Sequence, residues 1–231
     1  MSKLGEIVKD LSPAVRPRRE TLEGRAVLIQ PLDPLVHGDA LYEGTHADHR
    51  EQLWLYLPEG PFPDRSTFGS YLKRASVSED PLFFAIVDKS SGVAAGMAAY
   101  LRIEPNHKVI EVGHILFTPK LQRTVAATEA MFLMAQHVFD LGYRRYEWKC
   151  NSLNEPSLRA ARRLGFTFEG VFRQHMIVKG RNRDSAWFSM LDSEWPARKA
   201  SFEHWLDPRN FDENGVQKLS LSAANSAVTK T

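Results

Sequence analysis

The sequence predicts an α/β fold, one mixed, mostly antiparallel sheet flanked by helices on both faces. Three observations carry this expectation. From Leu82 to Thr118, three apolar runs (LFFAIVD, VAAGMAAYLRI and VIEVGHILFT) are separated by short turns, the pattern of an antiparallel meander. After them, Ala127, Met131, Met134, Val138 and Leu141 recur at three- and four-residue spacing and Gly142 follows, which describes an amphipathic helix and its stop. Tyr146, Trp148 and Cys150 then alternate with Arg145, Glu147 and Lys149, a strand with one buried and one wet face.

The remaining elements follow in chain order. Residues 1–20, with Pro13, Pro17 and several charges, read as a flexible arm, 21–206 as the domain and 207–231 as a tail that has lost its apolar spacing. Val27 to Pro31 reads as a first strand and Pro34 to about His46 as a helix of poor periodicity. Tyr56 to Pro63, with three prolines and Gly60, is a loop. Asp64 is placed to cap a helix with Phe68, Tyr71, Leu72 and Ala75 on one face. Asn154-Glu155-Pro156-Ser157 opens a short helix that ends at Gly165, and Phe166–Val178 with Ser185–Leu191 form a hairpin around Lys179-Gly180-Arg181-Asn182.

Composition narrows the function. The 231 residues are 43% apolar and 25% charged, which suits one domain with a sizeable core. Thirty basic side chains against twenty-eight acidic ones leave +2, too balanced for a nucleic-acid binder. Arg16, Arg18 and Arg19, and again Arg181 and Arg183, read as solvated surface. One cysteine, Cys150, excludes an internal disulfide and a multi-cysteine metal site, so a reducing, cytoplasmic setting without a resident metal is expected. No run approaches the roughly 20 apolar residues that span a bilayer, and no membrane partner is expected.

Three groups of residues carry chemistry. The strand ending at Thr118 runs into a bend at Gln122-Arg123-Thr124 and then a helix, which collects free backbone N–H groups at a helix N-terminus, a natural phosphate site. Asn154 and Ser157 stand at the start of the short helix, where Asn154 also has the chemistry of a plain cap. Glu111 lies on the third strand, as a base for a protonated amine or as a carboxylate on a wet sheet face. His114, three residues on, falls on the opposite face of an ideal strand and reads as core or pocket wall. Cys150 has the reactivity of a nucleophile but ends a buried face and reads as core, and Trp54, Tyr56 and Phe62 read equally as pocket lining or packing.

The order and spacing from Val109 to Arg173 resemble the acetyl-CoA-dependent N-acetyltransferases of the GNAT superfamily, and within it the branch that acetylates ribosomal-protein N-termini, over roughly Arg25 to Glu194. The resemblance implies a GNAT-like sheet splayed between the strand ending at Thr118 and the strand Tyr143–Cys150. It implies pantetheine pairing with backbone at Leu116, Phe117 and Thr118, and pyrophosphate held by the family's Q/R-x-x-G-x-G/A segment, here Gln122, Arg123, Thr124, Val125, Ala126 and Ala127, with Thr128. Asn154 would reach the pantetheine arm, Ser157 would protonate the leaving thiolate and Glu111 would deprotonate the amine. Val125 replaces the central glycine, and a β-branched residue resists left-handed dihedrals. Either the loop keeps helical dihedrals and binds acetyl-CoA, or the chain is a degenerate acyl-CoA-binding or interaction module. The expected partners are acetyl-CoA and an amine acceptor, either a protein or peptide N-terminus or a small amine such as a polyamine, an antibiotic or an amino-acid analogue, with a homodimer as a further expectation.

Overall fold

The computed structural model describes residues 4–48 and 50–228; positions 1–3 of the expected arm and 229–231 of the expected tail lie outside them. Strands β1 (Leu22–Glu23), β2 (Val27–Pro31), β3 (Leu82–Asp88), β4 (Val93–Glu104) and β5 (Val109–Phe117) lie side by side and antiparallel. Next comes β6 (Arg145–Asn151), parallel to β5, and then a hairpin of β7 (Thr167–Val178) and β8 (Arg181–Leu191) with β8 against β6 and β7 at the edge. A mixed sheet follows from the helix between β5 and β6, since that crossover is what lets the two strands run parallel.

Helices α1 (Pro34–Thr45), α2 (Arg50–Trp54) and α3 (Arg65–Val77) cover one face; α4 (Val125–Asp140), α5 (Glu155–Arg163), α6 (Trp195–Leu206) and α7 (Leu221–Val228) cover the other. Each face therefore has its own core. On β3, Leu82, Phe84 and Ile86 point to the α4 side, while Phe83, Ala85 and Val87 point to the α1–α3 side. Burial on both faces explains why LFFAIVD reads as a continuous apolar run rather than an alternating one. The expected cap of α3 forms as a capping box: the Asp64 side chain accepts from Thr67 N at 2.8 Å, and Asp64 N donates to Thr67 Oγ1.

The structure differs from expectation at four places. The α2 helix has five residues, too few to show a period, and is held by Trp54, whose Nε1 donates to Thr45 O. The hairpin turn is two residues, Lys179 and Gly180, both at positive φ, and β8 begins at Arg181. Residues 14–19 are tied to the body: Ala14 N donates to Pro105 O, Val15 N to Leu141 O, and Arg16 and Arg19 to the carbonyls of Glu79 and Ser78. Beyond Leu206 the chain folds back instead of trailing away. Leu221 is fully buried, Asn225 Nδ2 donates to Arg163 O, and Arg198 Nη1 donates to Asn225 O. Its apolar anchors are too widely spaced to register as a period.

Candidate active site

Strands β5 and β6 pair from Val109↔Arg145 to Val112↔Trp148 and then part. The divergence begins at a bulge in β5. His114 sits at φ 50°, and the register against β4 jumps from Gly113↔Ala99 to Leu116↔Met97. A bulge increases local twist and bends the strand away from its neighbour, which opens a cleft at the C-terminal ends of β5 and β6. Leu116 and Thr118 are buried, and Thr118 N donates toward β4 at Ala95 O. By strand alternation it is Phe117 whose backbone faces the cleft, and its carbonyl accepts from Gln122 Nε2 at 2.9 Å.

The bend that follows is tightly specified. Thr118 O accepts from both Leu121 N and Gln122 N, and Arg123 takes the left-handed conformation at φ 62°. Thr124 then caps α4: its Oγ1 accepts from Ala127 N at 3.1 Å and donates to Leu121 O at 2.7 Å. Val125 is the first helical residue. The strain expected at Val125 is thus displaced two positions upstream, and a β-branched side chain is tolerated. Among the described residues, the N–H groups of Arg123, Val125 and Ala126 have no protein acceptor, whereas that of Ala127 is taken by its cap. The first turn of α4 carries no acidic residue, and Lys120 and Arg123 stand exposed just before it, so the helix N-terminus is set up for an anion.

Behind the bend, the first turn of α4 is braced from two sides. Thr128 Oγ1 accepts from Arg163 Nη1 at 3.0 Å, and the Arg163 guanidinium lies 4.9 Å from the Trp205 ring. Glu129 is buried and accepts from three backbone N–H groups, those of Arg25, Ala26 and Val27. Its carboxylate is structural, joining the β1–β2 turn to α4.

Across the cleft, Asn154 Oδ1 accepts from Ser157 N at 3.2 Å, so this side chain is the cap of α5. The Ser157 hydroxyl accepts from Trp148 Nε1 at 3.0 Å. Burial pushes the Cys150 thiol up, the reverse of what a nucleophilic thiolate needs.

Glu111 is not on a wet face. It is 4% exposed, Lys149 Nζ lies 2.9 Å from its Oε2, and Arg102 Nε lies 3.6 Å away. Burial raises its pKa to about 7, against the pull of Lys149 and Arg102, and Glu147 adds to the rise. The face of β6 expected to be wet is therefore a buried charged seam. Glu147 is paired with Arg145 at 2.7 Å, and the Lys149 ammonium sits 4.6 Å from the ring of Trp187 on β8. The bulge carries His114 onto this same face, against Phe83 at 5.0 Å between ring centroids. Burial and the charge of Arg183 lower its pKa to about 4, so it is neutral at physiological pH.

Arg102 and Trp187 escaped the sequence reading, and Lys149, expected on a wet face, and Arg183, expected on solvated surface, are both drawn into this seam. The alternation in β6 put Lys149 on the face of Glu147, but which strands lie beside β6 is not written locally. Of the aromatics before the meander, Trp54 and Phe62 pack edge to face at 5.3 Å in the α1–α3 core. Tyr56 instead bridges the cleft, its hydroxyl donating to Leu153 O, and Lys179 at the hairpin tip donates to Trp54 O. These two contacts tie the end of α2 and the segment after it to the β6–α5 loop and to the β7–β8 hairpin.

The comparisons agree with this architecture. The acetyltransferase (GNAT) domain family matches residues 27–167. A GCN5-related N-acetyltransferase from Brucella melitensis is similar at 51% identity and TM-score 0.93, covering 95% of this chain and 100% of that one. The uncharacterized N-acetyltransferase YnaD of Bacillus subtilis is 25% identical over 68% of this chain and 88% of its own length. Two structures share the fold at greater distance. The Microcin C7 self immunity acetyltransferase MccE, solved with acetyl-CoA and AMP, is 21% identical at TM-score 0.64, covering 73% of this chain and 93% of that one. An acetyltransferase from Salmonella typhimurium that modifies the N-terminal serine of ribosomal protein L7/L12 is 19% identical at TM-score 0.65, covering 74% and 99%. Among the described residues, no helix is long and apolar enough to cross a membrane.

Proposed function

The chain belongs to the GNAT family of acetyl-CoA-dependent N-acetyltransferases, and on that premise we propose that it moves the acetyl group directly to a primary amine in a ternary complex, with Glu111 as the base. Acetyl-CoA is the cosubstrate of this family. The N–H groups of Arg123, Val125 and Ala126, reinforced by the helix dipole, suit its pyrophosphate, and the cleft-facing backbone of Phe117 suits the pantetheine amides. Held in the splay, the thioester lies beside the Glu111 face.

The observation that carries this reading is the state of Glu111. An amine must lose a proton to become a nucleophile, and a carboxylate with a pKa of about 7 is matched to accept one near neutral pH. The amine nitrogen then forms the new bond to the thioester carbon, the C–S bond breaks, and the thiolate leaves. On this reading Ser157, on the other side of the splay, protonates it. The donor bond from Trp148 polarises that hydroxyl, making its own proton easier to give. A thiol of ordinary pKa about 8.5 is a competent leaving group, so Ser157 matters less than Glu111. The alternative, a degenerate binding module, drew on Val125 and on the absence of a tyrosine near Pro156–Leu164; the first support goes once Val125 is a helical residue, and the second stands.

The deciding experiment is a pH profile of kcat/KM at saturating acetyl-CoA for wild type and Glu111→Gln. Wild type should rise through about pH 7 as Glu111 ionises; a variant with the same profile and rate would remove Glu111 from the mechanism.

A further inference from the structure

We propose that the amine acetylated by this protein carries its own negatively charged group, a carboxylate or a phosphate, and that Arg183 receives it. The inference deepens the acetyl-transfer reading and rests on it. Its basis is an excess of fixed positive charge on the Glu111 face. Arg183 Nε donates to Ser185 Oγ at 3.2 Å, and the same hydroxyl meets His175 Nδ1 at 2.9 Å. The His175 ring lies 6.0 Å from that of Trp187, over which sit both the Lys149 ammonium and, at 5.1 Å, the Arg102 guanidinium. Two cations from two strands thus share one aromatic ring, and Arg183 from a third strand is linked to that ring through Ser185 and His175.

The carboxylates nearby do not balance them. Glu111 is shared between Lys149 and Arg102, and Glu147 is held by Arg145. Asp184, next to Arg183 in the chain, turns to the other face and accepts from Gln174 N and Asn182 Nδ2. Among the described residues, no carboxylate pairs with Arg183, although this guanidinium is half-buried. A partly desolvated arginine without an anion is costly, and its fork of donors matches a carboxylate or a phosphate. The imbalance registers on both neighbouring histidines. Burial lowers His175 and His114, and the cations lower them further: Lys149, Arg183 and Arg102 for His175, Arg183 for His114.

Position makes this a substrate contact. Ser185 pairs with Asn151 at the C-terminal end of β6 and Asp184 O accepts from Ser152 N, so Arg183 lies just past that end, where the cleft opens. An acceptor with its amine at Glu111 and its anion at Arg183 would bring into the pocket the charge that the pocket lacks. A polyamine would meet repulsion from the same field.

The test uses acceptor pairs that differ in the anion: an amino acid against its carboxamide, and phosphoethanolamine against ethanolamine. Wild type should favour the charged member by about tenfold or more in kcat/KM, the size expected for a charge-assisted bond. The pair with the larger ratio identifies carboxylate or phosphate. Arg183→Gln should erase the ratio, Arg183→Lys should keep part of it, and acetyl-CoA affinity by calorimetry should not change. Equal use of both members, or a loss confined to acetyl-CoA affinity, overturns the inference. Calorimetry of the same pairs with the unreactive CoA-loaded protein reads the preference without turnover. Preference there with no amine acetylated overturns the acetyl-transfer reading alone; turnover without preference overturns this inference alone.

Discussion

The two walls of the cleft are built from different materials. On the α4 side the proposed working groups are backbone N–H of Arg123, Val125 and Ala126, positioned by a left-handed residue and a threonine cap. On the other side they are side chains, Arg102, Glu111, Lys149 and Arg183, contributed by β4, β5, β6 and β8. A site made of amides is indifferent to much of its own sequence, so Val125 can stand where the family favours glycine. A site made of charges depends on each member, because removing one leaves its partners buried and unpaired.

That contrast gives an order of effects. The largest belongs to the charged wall: Glu111→Gln should lower kcat by about 10²- to 10⁴-fold, the usual worth of a general base, with acetyl-CoA affinity unchanged by calorimetry. The mirror experiment is Val125→Asp. A carboxylate in the first turn of α4 favours the helix, so thermal stability should hold, yet it repels pyrophosphate and should weaken acetyl-CoA binding by about tenfold. If both variants affect the same parameter, the division between walls is wrong.

Two smaller effects sharpen the comparison. Lys149 lowers the Glu111 pKa, so Lys149→Met should move the acid limb of the pH–rate profile upward from about 7, read over pH 6–9 with Arg102 and Glu147 still facing the carboxyl. Removing a cation that pulls down a carboxylate can only raise it; a downward shift would show that Lys149 does not act on Glu111. Stability has its own sign. A carboxyl whose folded pKa lies above its unfolded value favours the folded state at low pH, and that contribution fades as pH climbs from about 4.5 to about 7. Smallest is Thr124→Ala, which should cost about 1 kcal/mol in chemical denaturation through loss of the α4 cap.

The same contrast explains what could be read from the chain beforehand. The meander, α4 and the cap of α3 were legible because each is a local pattern: an apolar run, a 3.6-residue period, an Asp before a helix. The bend at Gln122–Thr124 was legible as a strand–helix junction, although the left-handed residue is Arg123 and not the glycine position. Glu111 was visible as a carboxylate, but its burial was not. That depends on Lys149 and Trp187 arriving from β6 and β8, and register across strands is set by the whole sheet. The face occupied by His114 turned on one bulge, which shifts everything after it. The helix α7 was missed because eight residues with few apolar anchors look like a tail until α5 and α6 are present to receive them.

That last helix also sets a schedule. Asn225 holds the carbonyl of Arg163, and Arg163 holds Thr128 in the first turn of α4, so a brace of the proposed phosphate loop arrives nearly a hundred residues after the loop itself. During synthesis the bend and α4 leave the ribosome long before Asn225 does. A nascent chain can therefore assemble its meander early, but a fully braced cofactor cradle must wait until α7 has emerged.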